Sequence, residues 1–350
     1  MAHRPYLITN IQEISKYITL TESEKNALLG NPSPPFSVTE YYAGLMEATL
    51  DCPIRRQCIP TTAEKSVCTY EFSDPLFEKN YKPAPRLVHR YPNRVLLLAS
   101  QRCAVYCRHC FRRYFTDSNI QGISDSDLSQ AVKYIKKDPR IQEVLISGGD
   151  PLMLHEAKLK TILTAIGKAR DDIIIRIGTR VPVVFPSRVK EMINTLTSAP
   201  RPVWIVTQFN HPKEITPESS EAIDLLIKNS IPVLNQSVLL QDINDSVSTL
   251  AELCQGLVSI KVKPYYIFQG DLAAGTSHFR VPIQKTLRLQ QQLRREVSGI
   301  AMPEFAVDLP DGGGKIPLTH GFIQKIRENE IVCRSQEGIE YTYPNEGENK

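Results

Sequence analysis

Residues 143–149 read "EVLISGG", a short apolar run closed by two glycines, and runs of this kind return at a regular interval. "DIIIRIG" lies at 172–178, "VWIVTQF" at 203–209, "IPVLNQSVLL" at 231–240 and "KPYYIFQ" at 263–269. Strand starts near 143, 173, 203, 233 and 263 recur at about the length of one βα unit. Amphipathic stretches such as "SDLSQAVKYIKK" (126–137), "AKLKTILTAIGKA" (157–169) and "SRVKEMINTLTS" (187–198) fill the gaps. With "VLLLAS" at 95–100 as the first strand, the six units predict an α/β fold, a parallel sheet wrapped into a partial or full (βα) barrel. Loops after such strands converge on one face, and active sites sit there.

Residues 1–85 precede this pattern. "ITNIQEISKYI" (8–18), preceded by Thr9 as its cap, and "VTEYYAGLMEATL" (38–50) read as helical, and "TESEKNALLG" (21–30) carries a capping box ending in glycine. These predict a small helical N-terminal region. The segment 73–94, rich in proline and charge, reads as an extended lead-in.

The chain has 350 residues, 41% hydrophobic and 23% charged, with a formal charge of +4. That balance is too mild to argue for nucleic acid or a membrane surface. Neither an export signal nor an apolar run near the ~20 residues of a membrane span is apparent. The expectation is a cytoplasmic protein. Of eight cysteines, three crowd into "CAVYCRHCFRR" (103–113), which reads as metal binding before disulfides. Cys52, Cys58 and Cys68 read as packing or free thiols, and Cys254 as core.

Cys103, Cys107 and Cys110 follow the first strand in a C-x-x-x-C-x-x-C loop, and thiolates select zinc or iron–sulfur clusters, which usually take four ligands. Zinc completed by His109 or a distant cysteine is one reading, although His109 lies between two ligands and is expected not to turn inward. Arg102, Arg108, Arg112 and Arg113 give the loop a cationic setting suited to an anionic cluster. One unit later, "LISGGDPL" (145–152) has glycines where backbone can approach a ligand closely. Near the C-terminus, "FAVDLPDGGGKIPLTHG" (305–321) places three glycines before Lys315. It reads as a flexible turn with a solvated lysine, as a phosphate loop lacking the usual Ser or Thr, or as a Schiff-base lysine on a loop open to a bulky aldehyde.

The cysteine loop after the first barrel strand resembles the signature of radical S-adenosylmethionine (SAM) enzymes. The resemblance implies that Cys103, Cys107 and Cys110 hold a [4Fe–4S] cluster whose fourth iron is left for SAM. It also implies a radical-SAM type (βα)6 barrel and SAM contacts at Ser147, Gly148, Gly149 and Asp150. More narrowly, residues 86–325 resemble the lysine 2,3-aminomutase family. The matching stretches are "HRYPNRVLLLASQRCAVYCRHCFRR" (89–113), "TQFNHPKEIT" (207–216), "NQSVLL" (235–240), "PYYIFQGDL" (264–272) with "HFR" (278–280), and the Lys315 segment. This divides the chain into the N-terminal region 1–85, a barrel core 86–325 and a short C-terminal tail 326–350.

The resemblance implies an isomerase that interconverts L-lysine and β-lysine by 5′-deoxyadenosyl radical chemistry with pyridoxal 5′-phosphate (PLP). Lys315 would join PLP as a Schiff base, Arg90 and Arg94 would bind its phosphate, and Gln208 and Gln236 would line the SAM pocket. Gln208 stands where the family has histidine. Arg112 would hold the substrate carboxylate, and Asp271 and Asp308 the ε-ammonium. The same chemistry on glutamate or arginine, and β-lysine supply for modification of translation elongation factor P, are the alternatives within the family. A non-catalytic iron–sulfur or zinc protein is the alternative outside it. The partners implied are a small amino acid and an electron donor such as flavodoxin or ferredoxin. The family's intersubunit zinc uses a cysteine where this chain has Ser246, and the tail offers only Cys333. No such zinc is expected, and a homo-oligomer stays open.

Overall fold

The computed structural model describes residues 7–116, 122–319, 321–335 and 337–345. One nine-stranded sheet runs in chain order: β1 (Leu87–Tyr91), β2 (Arg94–Ser100), β3 (Glu143–Gly148), β4 (Ile174–Gly178), β5 (Val203–Thr207), β6 (Val233–Val238), β7 (Lys263–Phe268), β8 (Glu304–Leu309) and β9 (Gly314–Pro317). Neighbours from β2 to β8 pair in parallel, and β1 and β9 add antiparallel at the edges. The edge strands do not pair with each other among the described residues, so the barrel is partial and open. Observed strand starts at Glu143, Ile174, Val203, Val233 and Lys263 follow the expected spacing.

Among the described residues, six helices of more than ten residues cover the outer face: α1 (Asp125–Lys137), α2 (Glu156–Gly167), α3 (Ser187–Thr197), α4 (Pro217–Lys228), α5 (Val247–Ser259) and α6 (Ile283–Glu296). The sequence of α1 explains its position. Ser124 caps it by accepting from the Asp127 amide, acidic residues fill its first turn and Lys136 and Lys137 its last. Its buried residues, Leu128, Ala131 and Ile135, share one face. They meet the outward residues of the strands, Val144, Ile146, Ile175 and Ile177, in one apolar cluster. Burying each leucine, isoleucine or valine side chain there contributes roughly 1.5–3 kcal/mol. Cys254 is buried on α5, and Ser246 caps that helix by accepting from the Thr249 amide.

Three features depart from the sequence reading. The first N-terminal helix (Ile11–Ile14) is capped by Asn10, not Thr9, because the Asn10 carboxamide accepts from the Glu13 amide at 3.0 Å. The expected capping box does form, between Thr21 and Glu24. Secondly, Lys315 sits on a strand rather than a loop. Residues 310–313 make the turn of a β8–β9 hairpin, with Gly312 and Gly314 at positive φ. Thirdly, the segment after the barrel carries a three-stranded antiparallel sheet, β10 (Ile323–Ile326), β11 (Glu330–Arg334) and β12 (Glu340–Pro344), tied to the barrel by the Tyr343 hydroxyl on the Gly270 carbonyl. Among the described residues no helix is long and apolar enough to cross a membrane.

Candidate active site

Cys103, Cys107 and Cys110 follow β2 and line one cavity together with the ends of β3 to β8. Among the described residues no group of three His, Cys, Asp or Glu side chains converges closely enough for a single metal ion. The N-terminal region pins the loop: the Tyr106 amide donates to Ser37 O, the Arg108 amide to Gln57 O, and the Ser37 hydroxyl to Ala104 O.

Three of the arginines around the loop are paired with carboxylates rather than forming an open cationic field. Arg108 and Arg113 share the Glu64 carboxylate, each with an Nη2–Oε2 distance of 2.6 Å, and Arg112 pairs with Glu78. Their first effect is to hold the loop. The cation that reaches a cysteine is Arg180, which the sequence reading missed. Its Nη1 donates to Cys107 Sγ at 2.7 Å, while Nη2 donates to Glu214, Gln57 and the Tyr42 hydroxyl.

The glycines at the end of β3 line the cavity and also serve the packing of the loop. A Cβ on Gly149 would lie 2.6 Å from Arg102 O, and one on Gly148, at φ +119, 2.3 Å from Ser100 O. They allow the end of β3 to dock on the root of the cysteine loop, and the Gly149 amide donates to Ser100 O at 2.6 Å. Asp150 is buried and accepts from the Thr179 hydroxyl and the Arg180 and Leu152 amides. Its carboxylate therefore ties the loops after β3 and β4. Ser147, Gln208 and Gln236 line the cavity. So does His109, contrary to expectation: the turn in which the Cys110 amide donates to Cys107 O swings its ring inward, with Nε2 3.2 Å from Gln208 Nε2.

At the other end, Asp308 and Lys315 are cross-strand partners on β8 and β9. The Lys315 amide donates to the Tyr91 hydroxyl at 3.0 Å. Its Nζ lies over the rings of Tyr266 (4.5 Å) and Phe268 (4.3 Å), two residues missed in the sequence. Burial lowers the Lys315 ammonium below its ordinary range, and Arg94 and Arg176 assist against the pull of Asp308 and Asp271. Asp271 lies in the same cavity, and burial, reinforced by Asp308, pushes its carboxyl up to about 8.

Arg90, Arg94, Arg112 and Arg176 also line this cavity. Arg176 could have been found: it is the single charge among the isoleucines of "DIIIRIG", and strand alternation turns it away from the helices. Four buried polar atoms of cavity residues have no hydrogen-bond partner among the described residues: Arg90 Nη2, His109 Nδ1, Arg176 Nε and Thr207 Oγ1. Buried donors and acceptors left this way are costly, so the donor set fits polar, anionic ligands. Beside Arg90 Nη2 runs the bare backbone of Gly314, where a phosphate or ring can approach.

A strand-end cysteine triad on an open parallel barrel defines a radical SAM enzyme, and the model of the Radical SAM superfamily matches residues 97–254. Such an enzyme uses a [4Fe–4S] cluster and SAM. The family model described as Lysine-2,3-aminomutase matches residues 290–350. The chain is 40% identical over 338 residues to an L-lysine 2,3-aminomutase from Fusobacterium nucleatum, covering 96% of this chain and 80% of that one. It is 40% identical to an L-lysine 2,3-aminomutase from Bacillus subtilis (97% and 72% covered) and 36% identical to a glutamate 2,3-aminomutase from Clostridioides difficile (95% and 79%). A solved radical SAM methyltransferase from Sphaerobacter thermophilus aligns over 63% of this chain and 68% of that one, with a TM-score of 0.47 and 18% identity. The chain belongs to the lysine 2,3-aminomutase family, and it is a radical SAM aminomutase, an isomerase acting on an amino acid.

Proposed function

We propose that the chain interconverts L-lysine and β-lysine, with a [4Fe–4S] cluster on Cys103, Cys107 and Cys110, SAM along Ser147–Asp150, Gln208 and Gln236, and PLP at Lys315. When bound, the cluster with SAM supplies a hydrogen-abstracting 5′-deoxyadenosyl radical and PLP supplies a π-system for moving nitrogen from Cα to Cβ. Arg90 and Arg94 are the phosphate ligands in this reading, and Arg176 adds positive charge beside them. Arg112 receives the α-carboxylate through charge-assisted hydrogen bonds. Burial favours the neutral, nucleophilic form of the Lys315 amine.

The observation that carries the choice of lysine is the pair Asp271 and Asp308 lining one cavity with Lys315. Two carboxylates in a low-dielectric wall call for a cation, and the far end of lysine is an ammonium. A second carboxylate, as in glutamate, would face like charge there. The test is anaerobic incubation of reconstituted enzyme with SAM, PLP and a one-electron reductant, flavodoxin, ferredoxin or a chemical donor, and with lysine, glutamate or arginine in turn. β-Lysine alone is expected, and Asp308→Asn should cut lysine turnover at least a hundredfold. Turnover of glutamate with lysine inert would refute the substrate assignment.

A further inference from the structure

The segment before β1, read from the sequence as a mere lead-in, passes over the cavity, and Leu76, Glu78 and Tyr81 line it. Its shape is fixed internally: Asp74 accepts from the Glu78 and Lys79 amides, both at 3.1 Å, and Phe77 adopts a left-handed conformation at φ +52. The result is a tight turn that delivers Glu78 to Arg112. Arg112 Nη2 donates to Glu78 Oε1 at 2.7 Å and Nε to Oε2 at 3.1 Å, while the Tyr114 hydroxyl donates to Oε2 at 2.7 Å. Farther along the turn, Tyr81 lies under the Arg90 guanidinium, 5.6 Å from centroid to Cζ.

A guanidinium has two edges suited to bidentate binding, one made by Nε with one terminal nitrogen and one made by both terminal nitrogens. Glu78 takes the first. Among the described residues nothing accepts from Nη1, and Arg112 lines the cavity. The second edge is thus the one left for a ligand. Phe111, 4.5 Å from the guanidinium carbon, packs against its face and restrains its tilt. Burial raises the Glu78 carboxyl, but Arg112, Tyr114 and Lys82 outweigh it and hold it below its ordinary range. The pair is therefore ionic across neutral pH.

We infer that Glu78 is a positioning residue for the carboxylate arm of the substrate: it locks the side edge of Arg112 so that the end edge meets an α-carboxylate in the cavity. This rests on the reading of Arg112 given above. Tyr114 supports it by fixing the Glu78 oxygen that would otherwise rotate. An arginine without this lock samples many rotamers and forfeits bidentate geometry, and the loss falls on ligands that carry a carboxylate.

The test compares L-lysine with 1,5-diaminopentane, the same molecule without its carboxylate. Binding is measured by calorimetry on anaerobic holoenzyme carrying cluster and PLP, with SAM and reductant withheld so that nothing turns over. Wild type should prefer lysine, and Glu78→Gln should reduce lysine affinity about tenfold while diamine affinity stays within about twofold. Tyr114→Phe, a milder change should Glu78→Gln fold poorly, should lower the preference about threefold. Equal loss for both ligands, or no loss for either, would make Glu78 structural only and overturn the inference. Arg112→Lys separates the two levels. If it abolishes the preference while Glu78→Gln and Tyr114→Phe do not, the inference fails and the role of Arg112 stands. If wild type shows no preference, that role fails and the inference falls with it.

Discussion

In the proposed lysine site, Asp271 is the residue whose chemistry bears most directly on binding. Its carboxyl is raised to about 8, chiefly by burial and then by Asp308. A bound ammonium favours the ionised carboxylate, so binding of lysine below that pH must release a proton. Affinity is therefore expected to rise with pH up to about 8 and then level, until the ligand's own ammonium titrates near 10.4. Calorimetry from pH 6 to 9 in buffers of differing ionisation enthalpy would count the released proton, and a flat affinity with no proton release would remove Asp271 as the receiver. Asp308→Asn should shift the inflection to lower pH, because one like charge is gone, even as affinity falls. At this scale the sequence was most legible where a motif carried the residue, as for Lys315, Asp308 and the three cysteines. Glu78, Glu64 and Arg180 stayed hidden. Their partners lie 34, 44 and 73 residues away, at Arg112, Arg108 and Cys107, and no local pattern announces a contact made by folding.

Among the elements, the junction between β2 and β3 decides whether the cysteine loop has a foundation. Gly149 packs its α-carbon against the Gln101–Arg102 peptide, and an added methyl would overlap it by backbone contact that cannot swing aside. Gly149→Ala should therefore cost about 1–3 kcal/mol and displace the loop root. The expected outcome is a lower Tm for the apo-protein and less iron retained after anaerobic reconstitution. Unchanged iron content and Tm would show that the junction can yield. Strand spacing was legible because a parallel βα unit repeats at nearly constant length, whereas the alternation that separates cavity from core, and that marks Arg176, went unread. The β8–β9 hairpin was not legible, since a glycine run reads as flexibility until its positive φ angles are seen to make a turn. That turn changes the site: Lys315 is held in register opposite Asp308 instead of being displayed on a mobile loop.

Across the whole molecule, the N-terminal region acts as the clamp on the cysteine loop, a relation that helix signals alone could not reveal. Glu64 stands at its centre, accepting from Arg108 and Arg113 at once, while Arg113 also donates to Ser33 O and to Ala274 O after β7. One carboxylate thus joins the N-terminal region, the cysteine loop and the far side of the barrel. All three side chains are nearly inaccessible to solvent. Removing the charge leaves two buried guanidinium groups without a counterion, an arrangement whose cost is about 3–5 kcal/mol. Glu64→Gln, which keeps the shape, is therefore expected to lower the urea midpoint of the apo-protein strongly and to speed loss of the cluster. Acid should mimic it. Burial pushes the Glu64 carboxyl up, but the two arginines outweigh it and hold it below its usual value, so its contribution is fully present above the unfolded value near 4.5 and is lost as pH falls through the lower folded value. Wild type should lose stability faster than Glu64→Gln on acidification below about 4.5. Parallel acid profiles for the two proteins would mean that Glu64 does not carry the clamp, and the link between the N-terminal region and cluster retention would have to lie in the remaining contacts of the loop with Ser33, Pro34, Ser37 and Gln57.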